Sequence, residues 1–437
     1  MKVADFIINY LSEIGIEDVF VVYGAANGDL IDAFTRNDKI RYISVMHEQG
    51  GGFAAEGYSK VKGGLGVALA TSGPGGMNFV TPIGNCFYDS VPCLFITGQI
   101  NSRFMRPNKS IRQIVFQETD IVGIVEPITK YAKLVTDPNS IKYEVQKAVY
   151  EATSGRPGPA LLDIPINIQK TEINPKTLIG YDSKISTTFD LVKINKQIDT
   201  FINDLEKSKR PCLMIGGGVK LSGAISELHE LGKKLKIPMF PTWNALDIVY
   251  SDYEYYGGRI GTYGGAGRNF GIQNSDLLLA IGSRISGRIT GGNIHSFARE
   301  AKKYVVDVDK AGLQKKLQQV PFEECIYSDA KLFIKLLQER LKDLELPEFS
   351  EWTDKVMEWK IKYDPVTKDM YKPRKYVHPY ALINSLSNQL SNKDIIVGDC
   401  GGISVMIGHC LKTKFGQRYH SNNGHAPMGF AFSAAIG

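Results

Sequence analysis

The sequence predicts an α/β protein of doubly wound parallel sheets. Short β-rich apolar runs alternate with helical patterns, and most of these runs end on glycine or another turn residue. A length of 437 residues also exceeds what one core can enclose, so the chain divides into several such sheets.

Each element follows in order. Ala4 to Ile14 has helical spacing, and Asp18 to Tyr23 (DVFVVY) is a strand pattern ending at Gly24. Ile40 to Met46 is a second strand, followed by the small-residue helix GGFAAEGYSKV. Gly66 to Thr71 closes on SGPGG, Cys93 to Thr97 closes on Gly98-Gln99, and Pro159 to Ile164 ends the set. The first domain is therefore expected over 1–168, with a polar linker over 169–186. A second α/β domain is expected over 187–345. Its strand ends are Cys212 to Ile215 before Gly216-Gly217-Gly218, Leu277 to Ile281 before Gly282-Ser283-Arg284, and Tyr304 to Val308 before Asp309. A second linker, with a connecting helix carrying Trp352 and Trp359, covers 346–376. Residues 377–437 start a third domain with a helix at Tyr380 to Leu390 and a strand at Asp394 to Val397. About sixty residues cannot close a core like the first two, so the third domain is expected to be incomplete and the chain a fragment.

Composition narrows the function. Hydrophobic residues make up 43% and charged residues 22%, and the net charge of +6 (52 basic, 46 acidic) is spread along the chain. Without a long Lys/Arg block, neither nucleic acid nor a membrane surface is an expected partner. The cysteines (Cys86, Cys93, Cys212, Cys325, Cys400, Cys410) form no CxxC pair and read as buried or incidental thiols of a reducing compartment. The amino-terminal pattern is an amphipathic helix, not a signal peptide, and no run could span a bilayer; the expected location is cytoplasmic.

Open parallel sheets bind ligands beyond the carboxyl ends of their strands. In the first domain those positions are Gly24, His47-Glu48-Gln49, Ser72-Gly73-Pro74-Gly75-Gly76 and Gly98-Gln99. Glu48 opens a helix, and by itself could simply complement the helix dipole. The glycines and alanines after it allow close approach of a backbone or a ring.

The segments HEQGGGFAAEGYSK, GVALATSGPGGMNFVTPIGNCFYDSVPCLFITGQI, FQETDIVGIVEPITKYAKLV and GRPGPALLDIP occur in this order at domain-scale spacing. Together they resemble the pyrimidine-binding domain of acetolactate-synthase-like thiamine-diphosphate enzymes. The resemblance extends over essentially the whole chain, and it implies pyrimidine-binding, central Rossmann-like and diphosphate-binding domains. In that family a glutamate bonded to the aminopyrimidine favours the imino tautomer, whose nitrogen takes the C2 proton. By resemblance Glu48 takes this position, with Gly24 and Asn78 at the cofactor. Gln117 and Phe116 lie near cofactor and substrate. Lys130 matches a threonine-lysine motif, or is an ordinary strand-end lysine.

The same resemblance puts a possible structural FAD in the central domain, at Gly216, Gly217, Gly218, Gly261, Arg284, Asp307 and Asp309. The alternative is a fold that keeps these turns without a ligand, since the family's Phe-Asp-Asp-Arg stretch reads Ile285-Ser286-Gly287-Arg288 here. In the third block, Gly398-Asp399 and Asn422-Asn423 mimic the family's magnesium motif, but that motif follows the MGFxxxAAIG helix. No metal ligand is therefore expected before Gly437. Gly401 and Gly402 are read as the earlier diphosphate-side loop and Met428 as the wedge under the bent cofactor, or else as ordinary helix packing.

The resemblance implies thiamine diphosphate with Mg2+, a 2-oxo acid substrate such as pyruvate, and a homodimer or dimer of dimers. The expected reaction is decarboxylation followed by carboligation. Gly402-Ile403-Ser404-Val405-Met406 departs from the acetolactate synthases' Gln-His-Gln-Met-Trp, and the carboxyl-terminal segment is similar to the surface-polysaccharide-associated branch. Alternatives are therefore acyl transfer to a ketosugar nucleotide, simple decarboxylation, or a non-catalytic scaffold.

Overall fold

The computed structural model describes residues 1–183, 189–373 and 375–437, apart from the side chains of Ala266, Leu317 and Gln318. The chain divides into two compact units, residues 1–186 with 422–437, and residues 187–421. The end of the first expected linker (184–186) and Arg374 in the second lie outside the described residues.

In the first unit, β1 (Asp18–Val21), β2 (Arg41–Ser44), β3 (Gly66–Ala70), β4 (Cys93–Gln99), β5 (Tyr131–Leu134) and β6 (Pro159–Pro165) form one parallel sheet. Its order is β2-β1-β3-β4-β6-β5. The central strands are buried on both faces, and their residues alternate between two cores. Val67, Leu69, Leu94 and Ile96 face helices Val3–Glu13 and Ile141–Thr153. Ala68, Ala70, Cys93 and Phe95 face Glu48–Lys62 and Val80–Asp89. This two-residue alternation is why these strands read as continuous apolar runs. The chain crosses from one side of β1 to the other between β1 and β3, so the sheet's switch point lies there.

The second unit repeats the plan. β7 (Pro211–Ile215), β8 (Met239–Pro241), β9 (Leu277–Ile281), β10 (Lys302–Asp307) and β11 (Glu324–Tyr327) are parallel in the order β11-β10-β9-β7-β8, with the switch point between β7 and β9. Helices Leu191–Leu205, Ile225–Leu235 and Ala330–Leu341 cover one face.

Both expected linkers are partly built into these bodies. Gln169 is fully buried, its Nε2 donates to the carbonyls of Ala26 and Ile164, and Val3 N donates to Thr171 O at 2.9 Å. Residues after β6 thus run against the amino terminus, satisfying backbone groups a free linker would leave to water. Helix Ser350–Lys362 covers the other face of the second sheet: Trp352 and Val356 are buried in that core, and Trp352 Nε1 donates to Pro211 O.

Residues 377–437 do not form a body of their own. β12 (Ile395–Val397) and β13 (Arg418–His420) make a two-stranded parallel sheet grouped with the second unit. Residues 422–437 join the first unit, where helix Phe430–Ile436 packs on Glu48–Lys62. That crossing needs glycine: a Cβ at Gly57 would stand 2.0 Å from Ala434 O. The Phe53 and Phe430 rings meet edge to face at 5.4 Å, and Asp89 accepts from the Asn423 and Gly424 amides at 2.9 Å. All the described cysteines are free, and no described helix is long and apolar enough to cross a membrane.

Candidate active site

The first switch point gathers most of the residues that the sequence singled out. After β2, His47 is extended and its Nδ1 accepts from Gln49 N at 3.1 Å, capping the helix that begins at Glu48. Glu48 therefore stands at the strand end, half-buried. Its Oε2 accepts from Asn78 Nδ2 at 2.9 Å, joining the β2 turn to the β3 turn. Oε1 points toward Gly75, where an added Cβ would lie 3.4 Å away and also 2.8 Å from Thr71 Cγ2.

Gly24 completes the group from β1. A Cβ there would fall 2.5 Å from Thr71, while Thr71 Oγ1 accepts from Ala26 N at 3.2 Å. Gln117 arrives from the loop after β4 with its backbone in the left-handed region (φ +65°). It lies against Gly73, whose Cβ would meet Gln117 Cβ at 2.9 Å. The structure thus brings Gly24, Glu48, Asn78 and Gln117, from the connections after β1, β2, β3 and β4, to one edge of the sheet. Phe116 projects beside them and is 81% exposed.

Lys130 lies elsewhere. It precedes β5 at the amino-terminal edge, where its N donates to Pro159 O and its Nζ to Ser154 O at 2.6 Å. The length of β6 sets that edge roughly 20 Å from the Glu48 edge, so within this unit Lys130 does not meet Glu48. Burial pulls its ammonium below the usual lysine value, with Glu151 opposing.

Chain order and fold both match the comparisons. Residues 1–124 match the model of the thiamine pyrophosphate enzyme N-terminal TPP binding domain, and residues 198–337 match that of the central domain. The acetolactate synthase large subunit of Corynebacterium glutamicum is 35% identical over 100% of this chain and 68% of its own length. The chain belongs to the thiamine pyrophosphate enzymes, on their acetolactate synthase branch. The probable acetolactate synthase large subunit of Methanocaldococcus jannaschii is 33% identical, covering 100% of the chain and 73% of the relative. Acetolactate synthase 3, chloroplastic, of Brassica napus is 34% identical over 100% and 65%. The chain thus spans about two thirds of the length of these curated relatives. None of the three carries a surface-polysaccharide name, so that narrower placement gains no support.

The residues fit the pyrimidine side of thiamine diphosphate. One carboxylate oxygen is fixed by an amide, and the other faces a glycine.

The expected flavin contacts fit less well. Gly216 and Gly218 do converge with Gly282 at the second switch point, but they pack on it directly. A Cβ on Gly216 would stand 2.1 Å from Gly282 O, and Gly218 N donates to that carbonyl at 3.0 Å; Gly217 meets Asn244. Asp307, the expected ribose contact, is paired with Lys316 at 2.8 Å, and Lys316 also donates to Ser283 O. Asp309 caps the following helix through Gly312 N. Arg284 is exposed, and Gly261 (φ +123°) lines a separate cavity of about 100 Å³ with Thr262, Asn269 and Gln273. Asp307 and Asp309 are satisfied by the chain itself, and no step is assigned to a flavin.

Of the residues expected at the diphosphate, Gly401 (φ +75°) opens helix Gly402–Cys410 in the second unit. Met428 belongs to the first unit and is 86% exposed, which argues against its being ordinary core packing. Two buried polar residues near the site, Asp163 and Glu118, were not singled out by motif; Gln99, a strand-end position, is buried beside them. Asp163 had a visible signal, a carboxylate inside the apolar run PALLDIP.

Proposed function

We propose that the chain carries out thiamine-diphosphate-dependent decarboxylation of a 2-oxo acid, pyruvate being the favoured donor, followed by carboligation to a carbonyl acceptor. The Glu48–Asn78 pair at the β1/β3 switch point carries this reading, on a chain whose relatives are named acetolactate synthases. Thiamine diphosphate, with Mg2+ on its diphosphate, would supply the nucleophilic carbon and hold the electron pair left when carbon dioxide departs. The chain contributes position and one proton-sharing group. Asn78 restrains the Glu48 carboxylate, so that Oε1 can share a proton with a ring nitrogen. Gly24 and Gly75 let the turns approach a planar ring, and Gln117 offers an amide to the substrate carboxylate. Gly401, Gly402 and Met428 are assigned to the diphosphate side and the bend of the cofactor.

The apolar residues Phe116, Met428 and Phe432 are all at least 80% exposed on the first unit, which supports a homodimer. Product analysis with pyruvate, with and without a second 2-oxo acid, tests the reaction. A branched acetohydroxy acid is expected; acetaldehyde as sole product would overturn carboligation.

A further inference from the structure

Gln117 sits in the loop joining β4 to helix Ile121–Val125, which has only one short helical turn, Ser102–Phe104. Its left-handed backbone is unusual for a residue with a Cβ and persists only where surrounding bonds hold it. The neighbouring side chain provides such bonds. Glu118 is 5% exposed, and one carboxylate oxygen accepts from Arg106 N at 2.6 Å while the other accepts from Ile114 N at 2.9 Å. Gln113 Nε2 donates to Glu118 O, and Glu118 N donates to Val115 O. Burial pushes the Glu118 carboxyl up, but these backbone donors outweigh it and hold the group below the usual carboxylate range. The carboxylate therefore pins both arms of the loop to the residue next to Gln117. On the sheet side, Gln99 Nε2 donates at 2.8 Å to both Thr119 O and Asp163 Oδ2.

We propose that Glu118 is a positioning residue: its buried carboxylate ties the Arg106 and Ile114 amides together and so holds Gln117 against the Gly73 turn for substrate binding. The substrate half of this rests on the function proposed above; the anchoring half does not.

The test is a double-mutant cycle on the full chain with Glu118→Gln and Gln117→Ala, joined to amide hydrogen exchange without cofactor. In Glu118→Gln the replacement NH2 faces a backbone N–H, so exchange in residues 102–120 should accelerate while β3 and β4 stay protected. The KM for pyruvate should rise about tenfold, C2 proton exchange of bound thiamine diphosphate should be unchanged, and on the Gln117→Ala background Glu118→Gln should add nothing. Wild-type exchange across the loop, or full additivity of the two substitutions, overturns the proposal. If Glu118→Gln loosens the whole sheet, the same cycle is read on Glu118→Asp, which keeps the charge and should fall between wild type and Gln. Accelerated loop exchange in a protein whose wild type lacks 2-oxo acid turnover would sustain the anchoring and overturn the proposed reaction.

Discussion

At the β1/β3 switch point the turns surround a half-buried carboxylate, whereas at β7/β9 they close on each other. Gly24 and Gly75 meet only side chains, chiefly Thr71, but Gly216 meets the Gly282 carbonyl. The acids differ too. Asp307 is neutralised by the Lys316 ammonium, while Asp163, near the end of β6, has only the neutral donors Thr97 and Gln99. The proposed cofactor site therefore falls in the first unit, while Asp307 and Asp309 of the second are bonded within the chain. Glycine at a strand end does not distinguish the two, since Gly98 in the first unit also packs on backbone, where an added Cβ would stand 2.0 Å from Ala26 O.

Substitutions can break this contrast. Gly216→Ala should have the largest effect, destabilising the second unit by about 3–5 kcal/mol, because a methyl cannot share space with backbone. Urea melts monitored by Trp243 and Trp352 fluorescence would show it, and a loss below about 1 kcal/mol would mean that the turns can part. Lys316→Ala comes next, at about 3 kcal/mol, since it leaves Asp307 charged and poorly solvated. If Asp307 were meant for a ribose, this variant would instead gain flavin, so flavin released per chain should be measured beside stability. Negligible flavin is expected in both wild type and variant.

Asp163 gives an effect that is read as a pH dependence. Burial pushes its carboxyl up to about 7, against the lowering influence of Thr97 and Gln99. A raised carboxylate favours the folded state while it stays protonated, so its contribution is full below about pH 4 and is lost as pH rises toward 7. Wild-type stability relative to Asp163→Asn should therefore fall by up to about 1.4 kcal/mol per pH unit in that window. A pH-independent difference would place the ordinary carboxylate value there. Gly24→Ala should cost about 1–3 kcal/mol, because the added Cβ would stand 2.5 Å from Thr71 Cβ, which side-chain rotation does not move. It should also weaken thiamine diphosphate binding, which Gly216→Ala in its folded fraction should not.

The central strands of both sheets were legible because both faces are buried, which leaves continuous apolar runs. β5, β8 and β11 were not: each lies at a sheet edge and is only three or four residues long, and β5 and β11 also mix polar with apolar residues. Glu48, Asn78, Gly24 and Gln117 were legible through motif order, and the fold brings them together. Glu118 was invisible, since a glutamate beside a glutamine carries no periodic signal and its burial depends on a loop that it organises itself. Lys130 and Asp307 were singled out by residue type, and within the chain they bond to Ser154 O and Lys316.

In the proposed reaction Glu48 activates the thiamine cofactor, and exchange of the C2 proton of bound thiamine diphosphate reports on that step. Glu48→Gln keeps the size and a partner for Asn78 but cannot share the proton in the same way. It should slow C2 exchange at least about a hundredfold while thermal stability changes little. Wild-type exchange in a folded, cofactor-loaded Glu48→Gln protein would contradict the account.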